Sequence, residues 1–542
     1  ICWIPQVQGK MMAIKRAIQS GSRLENVHQL GCAHALEHFM YKDGYAWKHF
    51  PGCDLNAWTS MKMIGTQFAG PNDMLEAYMQ HQHETMLGQH VGNITQEQFN
   101  SEIRNVLDEM HRNMSPQNGV RRVIECINSL VMHEGNVQPT IGLESTLNSM
   151  TLQGIRDMQK ALMGSQRNSM VVVGALPDSM NAQGFVNMLG TKFGTLQKNP
   201  GLQAMPTPHL RQNSGMRVHE IRQNGGSTIL AMGWPTPAAC KDSDVLQAIC
   251  AMVSGPPGAS TLSKPLLDNG IVYECNMEAN VSSTPDAMYF IAAVPASLQS
   301  EPMMVSRAQS GIFGMFGHYL PNFNDPAMLK QALHRLRTDY HLKTTGNLLT
   351  VADAALEGLN STGNASMAWN YKSRFADNAI KCEDVRRAAE QCLNENDLVL
   401  VRYLQNTLSP RHELALAPSY AHKPDMLSHV RYNRADAAGF SPADYHELDN
   451  GVHVLRAINP VSRSTAVYAF NVPKAHRLWA AKRALVGLLN KHNPVHDQLA
   501  SLGTHLAWDA KHDTVSCTMT CDKEHVRKSL DLVRKGLREA SV

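Results

Sequence analysis

The chain has 542 residues, of which 43% are hydrophobic and 18% are charged, a composition typical of folded globular proteins. This length exceeds what one hydrophobic core supports, so the sequence predicts about three domains. The 50 basic and 47 acidic residues leave a net charge of +3, which gives no support for nucleic acid or an anionic membrane as the main partner. No run of about eighteen apolar residues occurs, so no membrane span is predicted.

The eleven cysteines are scattered and odd in number, whereas a disulfide framework has clustered cysteines in even number. This pattern favours a reducing compartment, such as the cytoplasm or the matrix of a mitochondrion or plastid. The sequence leaves the choice among these compartments open.

The first part of the chain is predicted to mix strands and helices. The predicted elements are, in order, a strand that ends in a Gly-Ser turn (10–25), a helix (27–41), a stretch with strand character (55–70) and two amphipathic helices (72–90 and 95–114). The last of these helices opens with Thr95 and Gln98, the spacing of a capping box.

Two later segments have the same order of elements. Residues 150–176 and 380–404 each predict a helix, a polar turn and a buried strand rich in β-branched residues. Each would close a unit of about 200 residues, a common domain size. The sequence therefore predicts the α+β class, with two copies of a domain over residues 1–205 and 216–404. Each copy is expected to have an antiparallel sheet with helices on one side.

A third unit is predicted after a proline-rich stretch. Residues 405–442 contain four prolines, and residues 405–440 are predicted to form a linker. Two short strands with Asn450-Gly451 at the turn then predict a hairpin. A helix over 474–491, further strands and a C-terminal helix follow, so residues 441–542 predict a partial third copy that lacks the metal motif.

Three polar side chains interrupt an apolar helical stretch, GCAHALEHFM, at residues 31–40. His34 and His38 are four residues apart and therefore share a helix face. Two imidazoles on one face suit a single Zn²⁺ at about 2.0–2.1 Å. Glu37 lies beside them and is placed to accept a proton from water rather than to bind the metal. A catalytic zinc site has three protein ligands and one open position, so a third ligand is required.

Glu102 and Glu109 are the best candidates to complete the set. They are seven residues apart, two helical turns, and Val106 lies between them on the same face, flanked by Ile103 and Met110. Burying an unpaired charge costs several kcal/mol, so two inward carboxylates are expected to have partners. The pattern predicts Glu109 as the third zinc ligand and Glu102 as its supporting carboxylate. Without these glutamates, histidines on an apolar face are more often ordinary core residues.

A second group of histidines is interpreted differently. His81, His83 and His90 lie within a predicted amphipathic helix. They are interpreted as part of a polar helix face rather than as metal ligands.

Residues 17–44, AIQSGSRLENVHQLGCAHALEHFMYKDG, resemble the start of the pitrilysin/insulinase family of zinc peptidases, whose HxxEH motif inverts the usual HExxH order. They look most like the mitochondrial processing peptidase and its bacterial relatives. The spacing of Glu109, 71 residues after His38 (109 − 38 = 71), also resembles that of the family. The matching residues are Gly21, Ser22, Arg23, Glu25, Gly31, Ala33, His34, Glu37, His38, Asn56, Ala57, Thr59 and Ser60.

The resemblance implies α+β domains arranged as a clamshell of two bowls around a chamber. A peptide would enter the chamber and add as a strand to an edge formed by Asn56, Ala57, Trp58 and Thr59. Glu37 would be the general base.

The family also implies a role for residues of the C-terminal half. In relatives an Arg and a Tyr reach the scissile carbonyl from there. Tyr273 fits the Tyr position, so Glu37, Glu102 and Tyr273 form the predicted catalytic set. Leu267 stands near the position of the Arg.

Two functions remain open at this stage. The first is a zinc-dependent endopeptidase that cleaves extended peptides or presequences inside a chamber. The second is a non-catalytic structural relative that acts as an assembly subunit, as in respiratory complexes. The complete set of His34, Glu37, His38 and Glu109 favours the first, whereas Leu267 and the partial third unit keep the second open. A second chain or a further C-terminal segment is expected to complete the chamber and supply the Arg.

Overall fold

The computed structural model describes most of the first 405 residues and parts of the remainder. The described residues are 1–5, 9–40, 49–113, 118–132, 139–162, 165–196, 198, 215–223, 227–236, 242–255, 259, 261–280, 286–295, 301–319, 323–405, 444–447, 453–456, 463–471, 498–499, 502, 504–510, 514–522 and 525–539. Most of the predicted linker, residues 406–440, and the predicted helix at 474–491 lie outside them. None of the helices in this described part is long and apolar enough to cross a membrane.

Five strands form the first sheet. They are β1 (Cys2–Ile4), β2 (Met11–Ile18), β3 (Asp54–Thr59), β4 (Ile64–Pro71) and β5 (Asn168–Gly174). Their order is β1-β5-β2-β4-β3; β1 is parallel to β5, and the other neighbours are antiparallel. The stretch 55–70, predicted to have strand character, is a hairpin of β3 and β4. Its turn is closed by a hydrogen bond from Ser60 N to Met63 O of 2.8 Å.

The second sheet repeats the topology of the first. Its strands are β6 (Arg217–Gln223), β7 (Thr228–Thr236), β8 (Glu274–Ala279), β9 (Asp286–Val294) and β10 (Val399–Gln405). The order β6-β10-β7-β9-β8 matches the first sheet position by position, and β6 is parallel to β10 as β1 is to β5. The predicted α+β class, with repeated and mostly antiparallel sheets, is confirmed.

Helices surround the two sheets. In the first part of the chain they are α1 (Cys32–Met40), α2 (Leu75–Met86), α3 (Gln89–Gly92), α4 (Gln96–Asn113), α5 (Gly119–Met132), α6 (Glu144–Ser149), α7 (Leu152–Leu162) and α8 (Ala182–Phe193). In the second part they are α9 (Ser243–Val253), α10 (Lys264–Asp268), α11 (Glu301–Tyr319), α12 (Pro326–Thr345), α13 (Leu348–Thr362), α14 (Tyr371–Arg374) and α15 (Cys382–Cys392).

The predicted helices agree with these bounds except over 27–41, where the helix starts at Cys32, and over 72–90. The capping box is confirmed, because Gln98 N donates to Thr95 Oγ1 (3.2 Å) and Thr95 N donates to Gln98 Oε1 (2.8 Å). The helix predicted over 72–90 is divided into α2 and α3, because Gly88 adopts a left-handed conformation with φ +75°.

Each sheet is covered on one face by helices from its own part of the chain. On the first sheet, Met12, Ile14 and Ile18 of β2 belong to apolar clusters shared with α1, α2, α4, α7 and α8. On the second sheet, alternate residues of β7 and β9 pack against α9, α11, α12 and α15. These helices therefore lie on one side of the sheet of their own unit, as predicted, but the other side of each sheet is also covered.

The opposite face of each sheet is covered by a helix from the other part of the chain. Val351, Ala352 and Leu356 of α13 pack on Ala17 of β2 and on β5 of the first sheet. Reciprocally, α5 packs on β7, β9 and β10 of the second sheet. The two sheets are therefore joined by an exchange of helices.

Fewer residues are described beyond 405. The strands β11 (Asp444–Glu447) and β12 (His453–Arg456) form the predicted antiparallel pair, and the predicted turn at Asn450-Gly451 lies outside the described residues. A three-stranded antiparallel sheet follows, in the order β13-β15-β14, built from Arg463–Asn471 (β13), His505–Ala510 (β14) and Thr514–Asp522 (β15). The C-terminal helix α16 spans Val526–Glu539.

Candidate metal centre

The helix that carries the HxxEH motif begins at Cys32, later than the predicted start at residue 27. Gly31 precedes it with φ +93°, and a Cβ at this position would lie 2.8 Å from the carbonyl oxygen of Ile141. Only glycine adopts this conformation at this close contact without strain. The apolar side chains of α1, including Leu36 and Phe39, are fully buried. The motif therefore lies on a helix that is held firmly against the core.

The structure brings His34, His38 and Glu109 together. One ligand atom from each residue lies within 4.8 Å of the other two, and among the described residues this is the group of three that could hold a metal ion. Glu109 lies between the imidazoles, with Oε1 3.7 Å from His34 Nε2 and Oε2 3.2 Å from His38 Nε2. The predicted ligand set is therefore brought together by α1 and α4.

Glu102 lies two helical turns before Glu109 on α4 and contacts this group. Its Oε1 lies 2.9 Å from Nδ1 of His38, which leaves Nε2 of His38 facing Glu109. Its other oxygen accepts a hydrogen bond from Asn105 Nδ2 (3.1 Å). A carboxylate on the far nitrogen of a ligand histidine fixes both the tautomer and the orientation of the ring. Glu102 therefore occupies the position in which a carboxylate would orient His38, and its supporting role stays a prediction.

The electrostatics of the three residues are strongly coupled. Burial, together with the neighbouring His38, lowers the pKa of His34 to about 4. Burial acts in the same direction on His38, but the hydrogen bonds with Glu102 and Glu109 outweigh it and raise the pKa of His38 to about 9. The hydrogen bond with His38 lowers the pKa of Glu109 to about 2. The cluster therefore combines a neutral imidazole at His34 with an ionised carboxylate at Glu109.

Glu37 lies outside the ligand group and faces the edge strand. It is 9% exposed, and its Oε2 accepts a hydrogen bond of 2.7 Å from the hydroxyl of Thr59. Burial raises the pKa of Glu37, and the hydrogen bond from Thr59 opposes this rise. A raised pKa makes the carboxylate a stronger base near neutral pH. Glu37 is therefore placed between the ligand group and the last residue of β3.

The predicted substrate edge, Asn56 to Thr59, lies in β3, which is the outermost strand of the first sheet. Ala57 N donates to the Asn56 side chain (2.9 Å), so this N–H lies on the open edge. Trp58 lies directly across from Gly65, where a Cβ would approach the indole ring to 2.1 Å. The ammonium group of Lys15 is 5.2 Å from the centre of the same ring.

Tyr273 and Leu267 lie in the second unit. The Tyr273 hydroxyl donates to Ser227 Oγ (3.0 Å), and its N–H donates to Ala293 O (3.0 Å). Leu267 is partly buried against the apolar core of the second sheet. The described contacts of both residues are thus within the second unit, and none of them joins the metal ligands.

Two polar partners of the site were missed by the sequence interpretation. Asn113 Nδ2 donates to Glu109 Oε1 (3.1 Å), and Asn105 donates to Glu102 as described above. Both asparagines follow their glutamates by three or four residues on α4, a spacing that places side chains side by side. This periodicity was the signal that could have identified them.

The interpretation of His81 as part of a polar helix face is wrong. His81 is 1% exposed, and its ring lies 4.8 Å from that of His90 and 6.2 Å from that of Phe50. Burial lowers the pKa of His81 to about 3. The buried stripe of α2 is wide enough to include His81 together with Tyr78 and Gln82.

Comparison with known proteins relates the chain to one peptidase family. A family profile described as the peptidase M16 inactive domain matches residues 149–309. No curated protein sequence matches the chain. The matched segment contains β5 of the first sheet and β6 to β9 of the second. It does not include His34, Glu37, His38 or Glu109.

Solved structures share the fold at low sequence identity. The chain is similar to a protease from Helicobacter pylori (20% identity, TM-score 0.62), with 74% of this chain and 95% of that chain covered. It is also similar to the periplasmic protease PqqL from Escherichia coli (13% identity, TM-score 0.56), with 98% of this chain and 64% of that chain covered. A chain of complex III2 from Candida albicans has 11% identity and a TM-score of 0.59, with 74% and 92% covered. The profile and the shared fold together support a relationship to the M16 peptidase family.

Proposed function

We propose that this protein is a zinc-dependent endopeptidase that cleaves extended peptides or presequences. The observation that carries the proposal is the convergence of His34, His38 and Glu109, with Glu37 beside them and turned toward an open strand edge. Two imidazoles and one carboxylate are the donor set of many catalytic zinc sites. The Glu102–His38 contact adds the outer carboxylate that such sites commonly have.

The residues divide the chemistry among them. His34, His38 and Glu109 would hold Zn²⁺, which when bound polarises a carbonyl oxygen and lowers the pKa of water. Glu37 accepts the proton of the attacking water and returns it to the leaving amine. Thr59 donates to one oxygen of Glu37, so the other oxygen is available for this transfer.

The edge strand positions the peptide. A substrate in extended form would pair with the free edge of β3, as peptides do when they add to an exposed sheet edge. Because Thr59 ends β3 and binds Glu37, a peptide paired along β3 passes directly beside the general base.

A non-catalytic assembly subunit is the second candidate. The family profile describes an inactive domain, and the fold also occurs in a chain of complex III2. Against it stands the complete ligand set with its base, which a purely structural role does not require. Hydrolysis therefore separates the two candidates.

The test compares the wild-type chain with Glu37→Gln and His38→Ala. Wild type should bind one zinc per chain and hydrolyse an unfolded peptide. Glu37→Gln should keep the zinc and lose about 10²–10⁴-fold in rate, the usual contribution of a general base. His38→Ala should lose the zinc, whereas His28→Ala, at an exposed histidine, should behave as wild type. Near-normal turnover by Glu37→Gln would contradict the mechanism, and zinc retained by His38→Ala would contradict the ligand assignment.

We further propose that another chain or domain completes the active chamber. The side chain of Leu267 has no hydrogen-bond donor, and the Tyr273 hydroxyl is hydrogen-bonded to Ser227, so neither side chain supplies the oxyanion donor expected from the family. Hydrolysis per chain should therefore be higher in an assembled species than in a verified monomer. A monomer with full activity would contradict this proposal.

A further inference from the structure

A short segment, residues 21–25, joins the substrate edge to the metal helix. Ser22 N donates to Ser60 O (3.1 Å) and Arg23 N donates to Met61 O (2.9 Å), so the segment pairs with the turn that follows β3. A Cβ on Gly21 would lie 2.3 Å from Ser60 O, which shows how closely the two backbones approach. One end of the segment is therefore fixed to the strand that carries Thr59.

Glu25 attaches the other end of the segment to α1. Its side chain is 5% exposed, and its two oxygens accept hydrogen bonds from Gly31 N (2.9 Å) and Ala33 N (2.5 Å). These N–H groups lie at the start of α1, one on the residue before the helix and one in its first turn, where the helix itself provides no acceptors. When ionised, the carboxylate also interacts favourably with the helix dipole. Burial raises the pKa of Glu25 to about 8, and the two hydrogen bonds oppose the rise.

The first turn of α1 is the part of the helix that sets the position of His34. Ala33, whose N–H is held by Glu25, immediately precedes His34 in the chain. Glu37 and His38 follow within the next turn. A shift or rotation of this turn would therefore displace both imidazoles relative to Glu109, which lies on a different helix.

We propose that Glu25 is a positioning residue for the metal centre. It fixes the start of α1, and through residues 21–23 it fixes α1 relative to the strand edge. The role rests on the proposed function, since it concerns the geometry of the same zinc site. Metal sites lose affinity when the groups that orient their ligands are removed, typically by 10–100-fold.

The experiment measures metal affinity and geometry in Glu25→Ala and Glu25→Gln. Zn²⁺ affinity is obtained by competition with a chelator, and the visible spectrum of bound Co²⁺ reports the coordination geometry. Glu25→Ala should bind Zn²⁺ about 10–100-fold more weakly and change the Co²⁺ spectrum. Glu25→Gln keeps one acceptor and should lie between Glu25→Ala and wild type.

Asp325 provides the matched control. Its carboxylate also accepts two hydrogen bonds at a helix start, from Ala327 N (2.8 Å) and Met328 N (3.1 Å) of α12. Asp325→Ala should lower thermal stability and leave Zn²⁺ affinity and the Co²⁺ spectrum unchanged. If Glu25→Ala does not fold, Glu25→Gln carries the test.

Two outcomes would overturn different parts of the argument. Wild-type affinity and spectrum in the Glu25 variants, with zinc binding intact in wild type, would overturn the positioning role alone. Absence of zinc binding by the wild-type chain would overturn the proposed function and with it this role.

Discussion

His38 has a different partner at each ring nitrogen. Nε2 faces Glu109 at 3.2 Å, and Nδ1 lies 2.9 Å from Glu102. The ring can rotate only by breaking the contact with Glu102. In the proposed zinc site, Glu102 would therefore orient His38 without belonging to the ligand group.

This arrangement predicts the effect of changing Glu102. Glu102→Ala should weaken zinc binding about 10–100-fold, because His38 loses its orienting carboxylate. Glu102→Gln should weaken it less, because the amide oxygen still accepts from Nδ1. Zinc affinity measured by chelator competition checks this, with the exposed Glu97→Ala on the same helix as control. Unchanged affinity in Glu102→Ala would show that the contact has no orienting role.

The grouping of the three candidate ligands was predictable from the sequence, but their polar partners were not all predictable. The i, i+4 spacing of His34 and His38 and the seven-residue spacing of the glutamates follow from helix geometry alone. The hydrogen bond from Thr59 to Glu37 joins a strand to a helix 22 residues earlier in the chain. No periodicity encodes such a tertiary contact. The burial of His81 is also tertiary, since it depends on which face of α2 meets the sheet.

The burial of His81, which is not part of the candidate metal site, predicts that the free energy of unfolding depends on pH. Burial, together with the neighbouring His90, Arg16 and His49, lowers its pKa from 6.5 to about 3. Between these values the unfolded chain binds a proton that the folded chain does not, so stability rises with pH across this window. At pH 5 this protonation of the unfolded chain lowers the free energy of unfolding by about 2 kcal/mol. The value follows because pH 5 lies about 1.5 units below 6.5 and each unit corresponds to about 1.36 kcal/mol.

Replacing His81 by Gln should remove this contribution. The difference in unfolding free energy between pH 5 and pH 7.5, measured by urea titration, should shrink by about 2 kcal/mol relative to wild type. An equal difference in both proteins would show that His81 does not carry it.

Most elements were predictable from periodicity, whereas the breaks between them depended on single residues. The amphipathic helix α4 agrees with its prediction because apolar spacing and a capping box indicate the same start. The helix predicted over 72–90 is broken by the left-handed Gly88. The β3–β4 hairpin could not be predicted within the stretch 55–70, because its turn at 60–63 has no Asn-Gly or Asp-Gly signal.

The open edge of β3 predicts a variant that blocks the peptide and spares the metal. Ala57 N lies on this edge, where its donor is bound by the Asn56 side chain. Proline is tolerated at edge positions whose N–H does not join the sheet. Ala57→Pro should therefore fold and bind zinc but lose peptide hydrolysis, because an edge donor for the substrate is removed.

Asn56→Ala is the matched control for this edge. It frees the Ala57 N–H from the side chain and should leave hydrolysis at or above the wild-type rate. Zinc content and hydrolysis are measured for both variants. Full hydrolysis by Ala57→Pro would show that the substrate does not pair at this position.

At the scale of the whole molecule, the repeat was predictable and the exchange of helices was not. Residues 150–176 and 380–404 show the repeat because they have the same order of elements. The apolar stripes of α5 and α13 indicate that each helix packs against an apolar surface of the core. A stripe does not specify which of the two sheets provides this surface. In the structure, α13 completes the first sheet and α5 completes the second.

This exchange predicts that the two sheets unfold together. Leu356 belongs to the second part of the chain but is 4% exposed against the first sheet. Leu356→Ala should lower the free energy of unfolding by about 2–5 kcal/mol, the usual range for a buried leucine. Because each sheet needs a helix from the other part, the loss should appear equally in the slowest-exchanging amides of β2 and β5 and of β7 and β9.

Leu333→Ala, in the core of the second sheet, is the reciprocal variant and should also affect both sheets. Hydrogen exchange measured by mass spectrometry resolves the two regions. Faster exchange confined to one sheet in either variant would show that the units unfold independently despite the shared helices.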